Sequence, residues 1–453
     1  MKRLKMITIM GLLACLFGSS CQPENAQTGL YEYHRVNIDA KISKIATAET
    51  SSALELNAAS GLSDYLAYAA LHNPGLHAAF NRFKAEFEKI DQVTALPDPR
   101  FTYKYFIEEV ETRVGPQQQS FAISQAFPWF GKLDLKGDIA LQAANAAKQR
   151  YEAAKLKLFY EVKDAYYEYY YLAKSIDITK ENVSLIKHLE SVARSRYKTD
   201  AGSHPDVIRA QVEMGKVEDR YRSLLDMTAP LAARLNAALN RPAAAEIPWP
   251  KNIDIENVQI DDDRLFAMLT EANPELKVLD FEVARNEKAI ALAGKDYYPD
   301  FTFGVSFIDT SNSLAGNPND NGKDPVIASV SMTIPLWREK YDASVRQAKS
   351  LYHAAIQNKT HKTNSLSADL QMATYRFRDA ERKVDLYTNA LLPKAKESLK
   401  VTESGFRAGT SSFTDLIDAQ RILLEFALSN ERALTDKAKW LAKLELLVGR
   451  EIK

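Results

Sequence analysis

Cysteine is nearly missing from this chain: Cys15 and Cys21 are the only two in 453 residues, both close to the start. Beyond Cys21 there is no thiol for a disulfide, a thiolate metal site or a cysteine nucleophile. Glycine is scarce too, at 17 residues, which argues against an ordinary all-β protein with its many turns and favours long helices. Charge of one sign is absent: 59 Lys and Arg balance 59 Asp and Glu. No basic excess is left to neutralise phosphates, so nucleic acid is not an expected partner. Past residue 21 every long apolar stretch is cut by charges within a few residues, which excludes a transmembrane helix. There is no P-loop, no GxSxG and no set of nucleophile, base and oxyanion donors, so neither enzyme chemistry nor a cofactor is expected. No metal site is expected either, since His72 and His77 would lie about 140° apart on a helix, a poor ligand pair. What the chain has in quantity is apolar and aromatic surface, with 21 Tyr, 19 Phe and 4 Trp, too much for disorder.

The first residues read as an address. Lys2, Arg3 and Lys5 precede an apolar run over 6–17 that suits a secretory signal and is too short to span a bilayer. Gly18-Ser19-Ser20 then put small residues before Cys21, a pattern that resembles a bacterial lipoprotein signal, whose cysteine becomes the acylated new terminus. Cys15, after Leu12-Leu13-Ala14, is the rival, but cutting there leaves an apolar core of only about nine residues. A plain signal with an incidental cysteine is the other alternative. Residues 1–20 are thus expected to be removed, and the polar, weakly periodic 21–60 to form a lipid-anchored extended leader.

The rest of the chain repeats itself, 61–250 against 251–453. Asn73-Pro74 recurs 200 positions on as Asn273-Pro274, Pro97-Asp98 recurs 202 on as Pro299-Asp300, and Pro128 recurs 207 on as Pro335. Tyr197, Asp206, Ala210 and Gln211 recur as Phe406, Asp415, Ala419 and Gln420, each 209 on. The seam falls near 241–263, where Pro242, Pro248, Pro250 and Asp261-Asp262-Asp263 stop the helical pattern. Each repeat reads helix, two strands, very long helix, return helix. No Gly or Pro interrupts 138–201, and Val162, Ala165, Tyr166, Tyr169, Leu172, Ala173 and Ile176 step as a buried helical stripe. At about 1.5 Å per residue that rod is roughly 95 Å long. The second repeat matches it over 336–392, with Pro393 predicting a bend or break. The run Tyr166, Tyr167, Tyr169, Tyr170 and Tyr171 reads as interhelix packing rather than a ligand platform.

Four strands are expected, over 100–113, 118–127, 301–310 and 325–334. In the last three one face is apolar and the other small or polar: Phe301, Phe303, Val305 and Phe307 oppose Thr302, Gly304 and Ser306. Their lengths suit a tilted transmembrane strand, which needs about 9 to 11 residues. An ordinary soluble hairpin, buried on one side, is the alternative. In hydrocarbon every backbone polar group must be paired, so strands cross a bilayer only as a closed barrel of about eight or more. Four cannot close alone, whereas three copies would give a barrel with a lumen wide enough for water. Trp129 and Trp337, at strand ends, fit an aromatic girdle or simple strand-end packing.

In order along the chain stand "YLAYAALHNPGLHAA" (65–79), "LPDPRF" (96–101), "SQAFPWFGKL" (124–133), "LNAALNRP" (235–242), "EANPELK" (271–277), "YYPDFTFGVSF" (297–307) and "GFRAGTSSFTDLIDAQ" (405–420). This ordered, doubled set resembles the TolC family of outer-membrane efflux proteins over nearly all of 61–449. The string around Pro128 and Lys132 is most similar to the branch serving copper/silver and cobalt-zinc-cadmium resistance. The resemblance implies a mainly α protein with transmembrane β: a homotrimer in which a 12-stranded outer-membrane barrel, four strands from each chain, continues into a periplasmic α-helical barrel. It also implies a periplasmic adaptor and an inner-membrane RND-type transporter as partners, outer-membrane lipid as surroundings, and a passive exit duct for heavy-metal cations. Drug, small-molecule or protein export by the same architecture stays open, and a lipid-anchored coiled-coil scaffold is the rival from a different class.

Two turns join a long helix to its return partner, near 199–206 and 408–415, and should form the periplasmic tip. Ser203-x-x-Asp206 and Ser412-x-x-Asp415 both fit a capping box. By the resemblance the tip contacts the adaptor, through Asp200, Ala201, Ala408, Gly409, Thr410 and Ser411, with Ser203, Asp206, Ser412 and Asp415 as neighbours. The family usually has glycine where Asp200 stands, and Gly409 keeps it; aspartate tolerates a left-handed backbone better than most residues.

Overall fold

The computed structural model describes residues 55–200, 202–250, 253, 258 and 261–452. The expected signal, the expected acylation site Cys21, nearly all of the expected leader and Ala201 lie outside the described residues. One series of elements occurs twice. In the first half it is α1 (Leu62–His72), α2 (Pro74–Thr94), β1 (Arg100–Val110), β2 (Gln117–Phe127), α3 (Lys132–Lys198), α4 (His204–Asp226) and α5 (Thr228–Ala238). In the second it is α6 (Asp262–Ala272), α7 (Pro274–Lys295), β3 (Phe301–Thr310), β4 (Val326–Met332), α8 (Arg338–Leu386), a π-helical turn (Tyr387–Leu391), α9 (Leu392–Ala408) and α10 (Phe413–Val448).

Each half opens with two helices jointed at an Asn-Pro step. Asn73 ends α1, and its side-chain oxygen accepts the Leu76 amide at 3.0 Å, while Pro74 brings the φ of a first helical residue. Asn273 does the same for α7, accepting from Glu275 and Leu276 at 2.8 and 3.1 Å. Each asparagine also donates through Nδ2 to the end of a later helix, Asn73 to the Ala238 carbonyl (3.1 Å) and Asn273 to the Leu447 carbonyl (2.8 Å). The repeated dipeptide therefore ties the start of each half to its finish.

The long helix α3 has 67 residues, about 100 Å of rise. It begins at Lys132, before the expected start, and continues through the buried Gly137, whose cost of roughly 1 kcal/mol cannot stop a helix of this length. Its counterpart in the second half is interrupted next to Pro393, as expected, by a π-helical turn between α8 and α9. The turn Tyr387–Leu391 widens so that the Leu392 amide reaches the Tyr387 carbonyl five residues back, and Pro393 enters the first turn of α9. The described core is strung along the helices as four clusters. Two lie at the helix pairs, around Tyr65, Val162 and Leu239 and around Leu269, Phe377 and Leu444; two lie toward the α3–α4 and α9–α10 turns, around Leu189, Phe413 and Leu416 and around Ile186 and Leu428. The tyrosine run is packing, as expected: Tyr166 meets Tyr65 edge-on at 5.3 Å, and Tyr169 stacks on Trp249 at 4.4 Å. Tyr171 differs from its neighbours, lying under the Arg432 guanidinium at 3.6 Å.

The strands form one antiparallel sheet in the order β1-β2-β3-β4. β1 and β4 stop short of the expected ends, at Val110 and Met332. At the start of β4, Pro325 has no amide to donate; past its end, the Thr333 amide still reaches the Asp300 carbonyl, but the Asp300 amide turns to the Thr333 hydroxyl at 2.9 Å. The register puts Phe101, Tyr103 and Tyr105 on one face with Phe121, Ile123, Phe303, Val305, Val330 and Met332. On this face Tyr105 is 66% exposed and Val330 67%. Among the described residues the outer edges of β1 and β4 have no partner strand.

Candidate functional site

The two interhelix turns lie side by side. Asp200 and Gly409, at equivalent places in the repeat, both take a left-handed backbone, with φ of 54° and 82°. The glycine of one turn and the aspartate of the other thus meet the same demand. At the second turn, Thr410 and Gly409 turn their amides back to Gly405 and Phe406, closing α9. Ser412 Oγ accepts the Asp415 amide at 3.1 Å and the Asp415 carboxylate accepts the Ser412 amide at 3.0 Å, so the expected capping box is present. The Ser412 hydroxyl, then its backbone amide, hold the Asp415 carboxyl below the usual range.

The matching box at Ser203 is absent. Asp206 turns to Arg209 at 3.8 Å, its amide bonds the Ser203 carbonyl, and the Ser203 side chain caps nothing. Arg209 continues across to α10, donating to Thr414 Oγ1 at 2.8 Å, so here the charge of Asp206 serves a link between turns instead of a helix start. Arg196 lies over the Phe406 ring at 4.6 Å, and Phe406 packs on Phe413 at 5.4 Å. Beneath them the apolar cluster of Leu189, Ala210, Leu416 and Ile417 fixes both turns. Asp200, Ser203, Ala408, Gly409, Thr410, Ser412 and Asp415 are exposed, while Asp206 and Ser411 are half-buried. The sequence did not reveal the cross-links Arg209–Thr414 and Arg196–Phe406, because pairs more than 200 positions apart leave no local spacing.

Farther along the helices, an open groove of about 680 Å³ runs past the π turn, lined by Glu213, Lys216, Arg220, Lys383, Arg421 and Arg432 among others. Its charges are largely paired: Arg421 donates to both Glu213 oxygens, at 3.0 and 2.5 Å, and Arg432 to Glu168 at 3.0 Å. His72 and His77 donate to the backbone carbonyls of Tyr68 and Leu71, both at 2.9 Å. Among the described residues no group of three or more His, Cys, Asp or Glu is placed to hold a metal ion.

At the other end of α3 the sheet is anchored by charge. Lys132, buried at the start of α3, reaches Asp300 at 3.0 Å and Asp296 at 3.6 Å, and Asp300 also accepts the Trp129 amide at 2.7 Å. Trp129 stacks on Tyr298 at 5.0 Å and Phe301 at 5.9 Å, whereas Trp337 stands 77% exposed. Among the described residues no helix is long and apolar enough to cross a membrane, and the aromatic face of the sheet is largely exposed.

The family described as outer membrane efflux protein matches residues 66–241 and 265–450, once on each repeat. Nodulation protein T of Rhizobium leguminosarum bv. trifolii is 22% identical over 391 residues, spanning 80% of this chain and 79% of its own length. The cobalt-zinc-cadmium resistance protein CzcC of Cupriavidus metallidurans is 20% identical over 393 residues, spanning 85% of this chain and 89% of its own. Among solved structures, that of CusC, whose description concerns transmembrane channel formation, superposes with a TM-score of 0.74 at 12% identity, over 86% of this chain and 92% of that one. The fold is accordingly TolC-like with four strands per chain, and the chain belongs to the outer membrane efflux protein family, whose members are outer-membrane channel proteins.

Proposed function

We propose that three copies of this chain close a twelve-stranded barrel in the outer membrane and act as the passive exit duct of a tripartite efflux system. One observation carries the reading: a four-stranded sheet with an exposed apolar face and two unpaired edges, mounted on helices of about 100 Å. Open edges in hydrocarbon would leave backbone groups unpaired, so the sheet must be closed by further copies. Two copies would give about eight strands, an interior that side chains fill, and three leave a water path. Acylation at Cys21 would add a second hold on the same membrane.

In this reading the tip at Asp200, Ala201 and Ala408–Ser411 meets a periplasmic adaptor, which joins it to an inner-membrane RND-type transporter. Heavy-metal cargo is the narrower form, supported by the cobalt-zinc-cadmium relative, while the name of nodulation protein T carries no metal. Purified protein should run as a trimer in detergent, change its gel mobility on boiling, fractionate with the outer membrane and conduct in planar bilayers. A chain that stays monomeric, opens no pore and dissolves once its anchor is removed would instead be the lipid-anchored coiled-coil scaffold.

A further inference from the structure

The face of the sheet opposite the aromatic one has an uneven charge. Register lines up its residues in rows: Arg100 with Ser124, Gly304 and Ser329; Thr102 with Ala122, Ser306 and Ile327; Lys104 with Ser120 and Ile308. Ala126, Thr302 and Ser331 form a further row, and past the irregularity Val110, Gln117 and Thr310 pair in another. Among the paired positions of this side only Arg100 and Lys104 carry charge, both positive, and no acid shares their rows. The acids of β1, Glu108 and Glu109, fall inside the irregularity between Tyr105 and Val110, outside the paired rows, and Glu109 accepts from Gln118 at 3.1 Å. Asp309 belongs to the aromatic face, where Gln119 donates to it at 2.8 Å.

This inference rests on the exit-duct reading above. If the aromatic face meets lipid, the opposite face lines the lumen, and closure by three copies repeats each cation three times. Arg100 and Lys104 are four residues apart, about 13 Å along the strand, so their charges form a belt inside the membrane-spanning part of the duct. A low-dielectric wall focuses such a field into the water path, and with a screening length of about 8 Å at physiological salt the belt acts well beyond the wall itself. Nothing of one sign opposes it at the tip, where Asp200, Asp206 and Asp415 stand among Arg196, Arg209 and Arg407.

We infer that Arg100 and Lys104 make the barrel selective for anions, so that the duct favours anionic or neutral solutes over bare cations. A divalent metal would then cross more readily as a neutral or anionic complex than as the free ion.

The test uses the full chain, purified from outer membranes and reconstituted in planar bilayers under a KCl gradient. The reversal potential should show chloride more permeant than potassium, by roughly twofold or more in 0.1 M salt, with the preference fading near 1 M as the screening length falls to about 3 Å. Lys104→Gln should lower the ratio, and Lys104→Glu with Arg100→Gln should carry it toward potassium, with conductance retained in each. A cation-selective wild type overturns the inference, and so does a reversal potential that these substitutions leave in place. A preparation without any pore would fail the exit-duct reading itself, and the belt with it.

Discussion

Asn273 shows how much one side chain does in this architecture. It is 2% exposed, its oxygen caps α7 and its amide holds the last turn of α10. Asn273→Ala removes the cap and leaves the Leu447 carbonyl without its donor, a loss of about 2–3 kcal/mol. Asn273→Asp keeps an acceptor for the cap but sets a negative oxygen against that carbonyl, so it should be nearly as damaging. Asn73→Ala, at a less buried site with a single cap bond, should cost less. Chemical unfolding followed by helical signal ranks the three. Glu213 supplies a pH dependence at the same scale. Hydrogen bonds from Arg421, against the opposing push of burial, hold its carboxyl below the ordinary range. Because the folded value is the lower one, its stabilising contribution is complete above about pH 4.3, the unfolded value, and fades as pH falls through the folded one. Glu213→Gln should therefore be less stable than the native chain at neutral pH, and the gap should shrink on acidification. A gap that stayed constant from neutral to acid pH would show that the pair contributes nothing through ionisation.

At the scale of elements, the turns between long and return helices carry the prediction for coupling to an adaptor. Gly409 has φ of 82°, and a Cβ there would stand 3.6 Å from Arg196 Nη2. Gly409→Val forces a branched residue into the left-handed region, at a cost of roughly 1–2 kcal/mol, and thrusts bulk from the tip. Resistance and adaptor co-purification should drop while trimer abundance holds, and Asp200→Lys should act in the same direction. Asp200→Gly, which suits a φ of 54°, is the tolerated control. If Gly409→Val and Asp200→Lys both left resistance intact, the tip would not be the contact. Much at this scale was readable in advance. Period-two alternation marked the strands, the long Gly-free and Pro-free runs marked the rods, and Ser412-x-x-Asp415 marked its cap. The same motif at Ser203 misled, because Arg209, one turn further along, draws Asp206 away. Pro393 marked its place as well, since the α-helical pattern gives way to a π turn just before it. The links of the tip were illegible because they join residues distant in sequence and near only in the fold.

At the scale of the molecule, the repeat predicts how copies join. Adding 202 to a β1 position gives its β3 counterpart and adding 207 to a β2 position gives its β4 counterpart. These shifts turn the observed pair Phe101↔Ile123 into Phe303↔Val330, and Tyr103↔Phe121 into Val305↔Ala328, both of which are present. The two hairpins therefore share one register. The seam between β2 and β3 is already formed inside the chain, with Gln125↔Phe303 and Ile123↔Val305. Carried by the same shifts, it becomes a seam between β4 and β1 of the next copy, with Met332 opposite Phe101 and Val330 opposite Tyr103. Opposed Cα atoms on antiparallel strands lie about 4.5–5.5 Å apart, within reach of a disulfide. A chain bearing both Val330→Cys and Tyr103→Cys should form a covalent trimer under mild oxidation, and neither substitution alone should do so. Val330→Cys with Tyr105→Cys, on the same face but two residues along, should cross-link poorly. Reversal of that order would mean that closure between copies uses a register unlike the one the chain uses within itself, since a slip of two residues keeps every side chain on its face and escapes the penalty that forbids a slip of one.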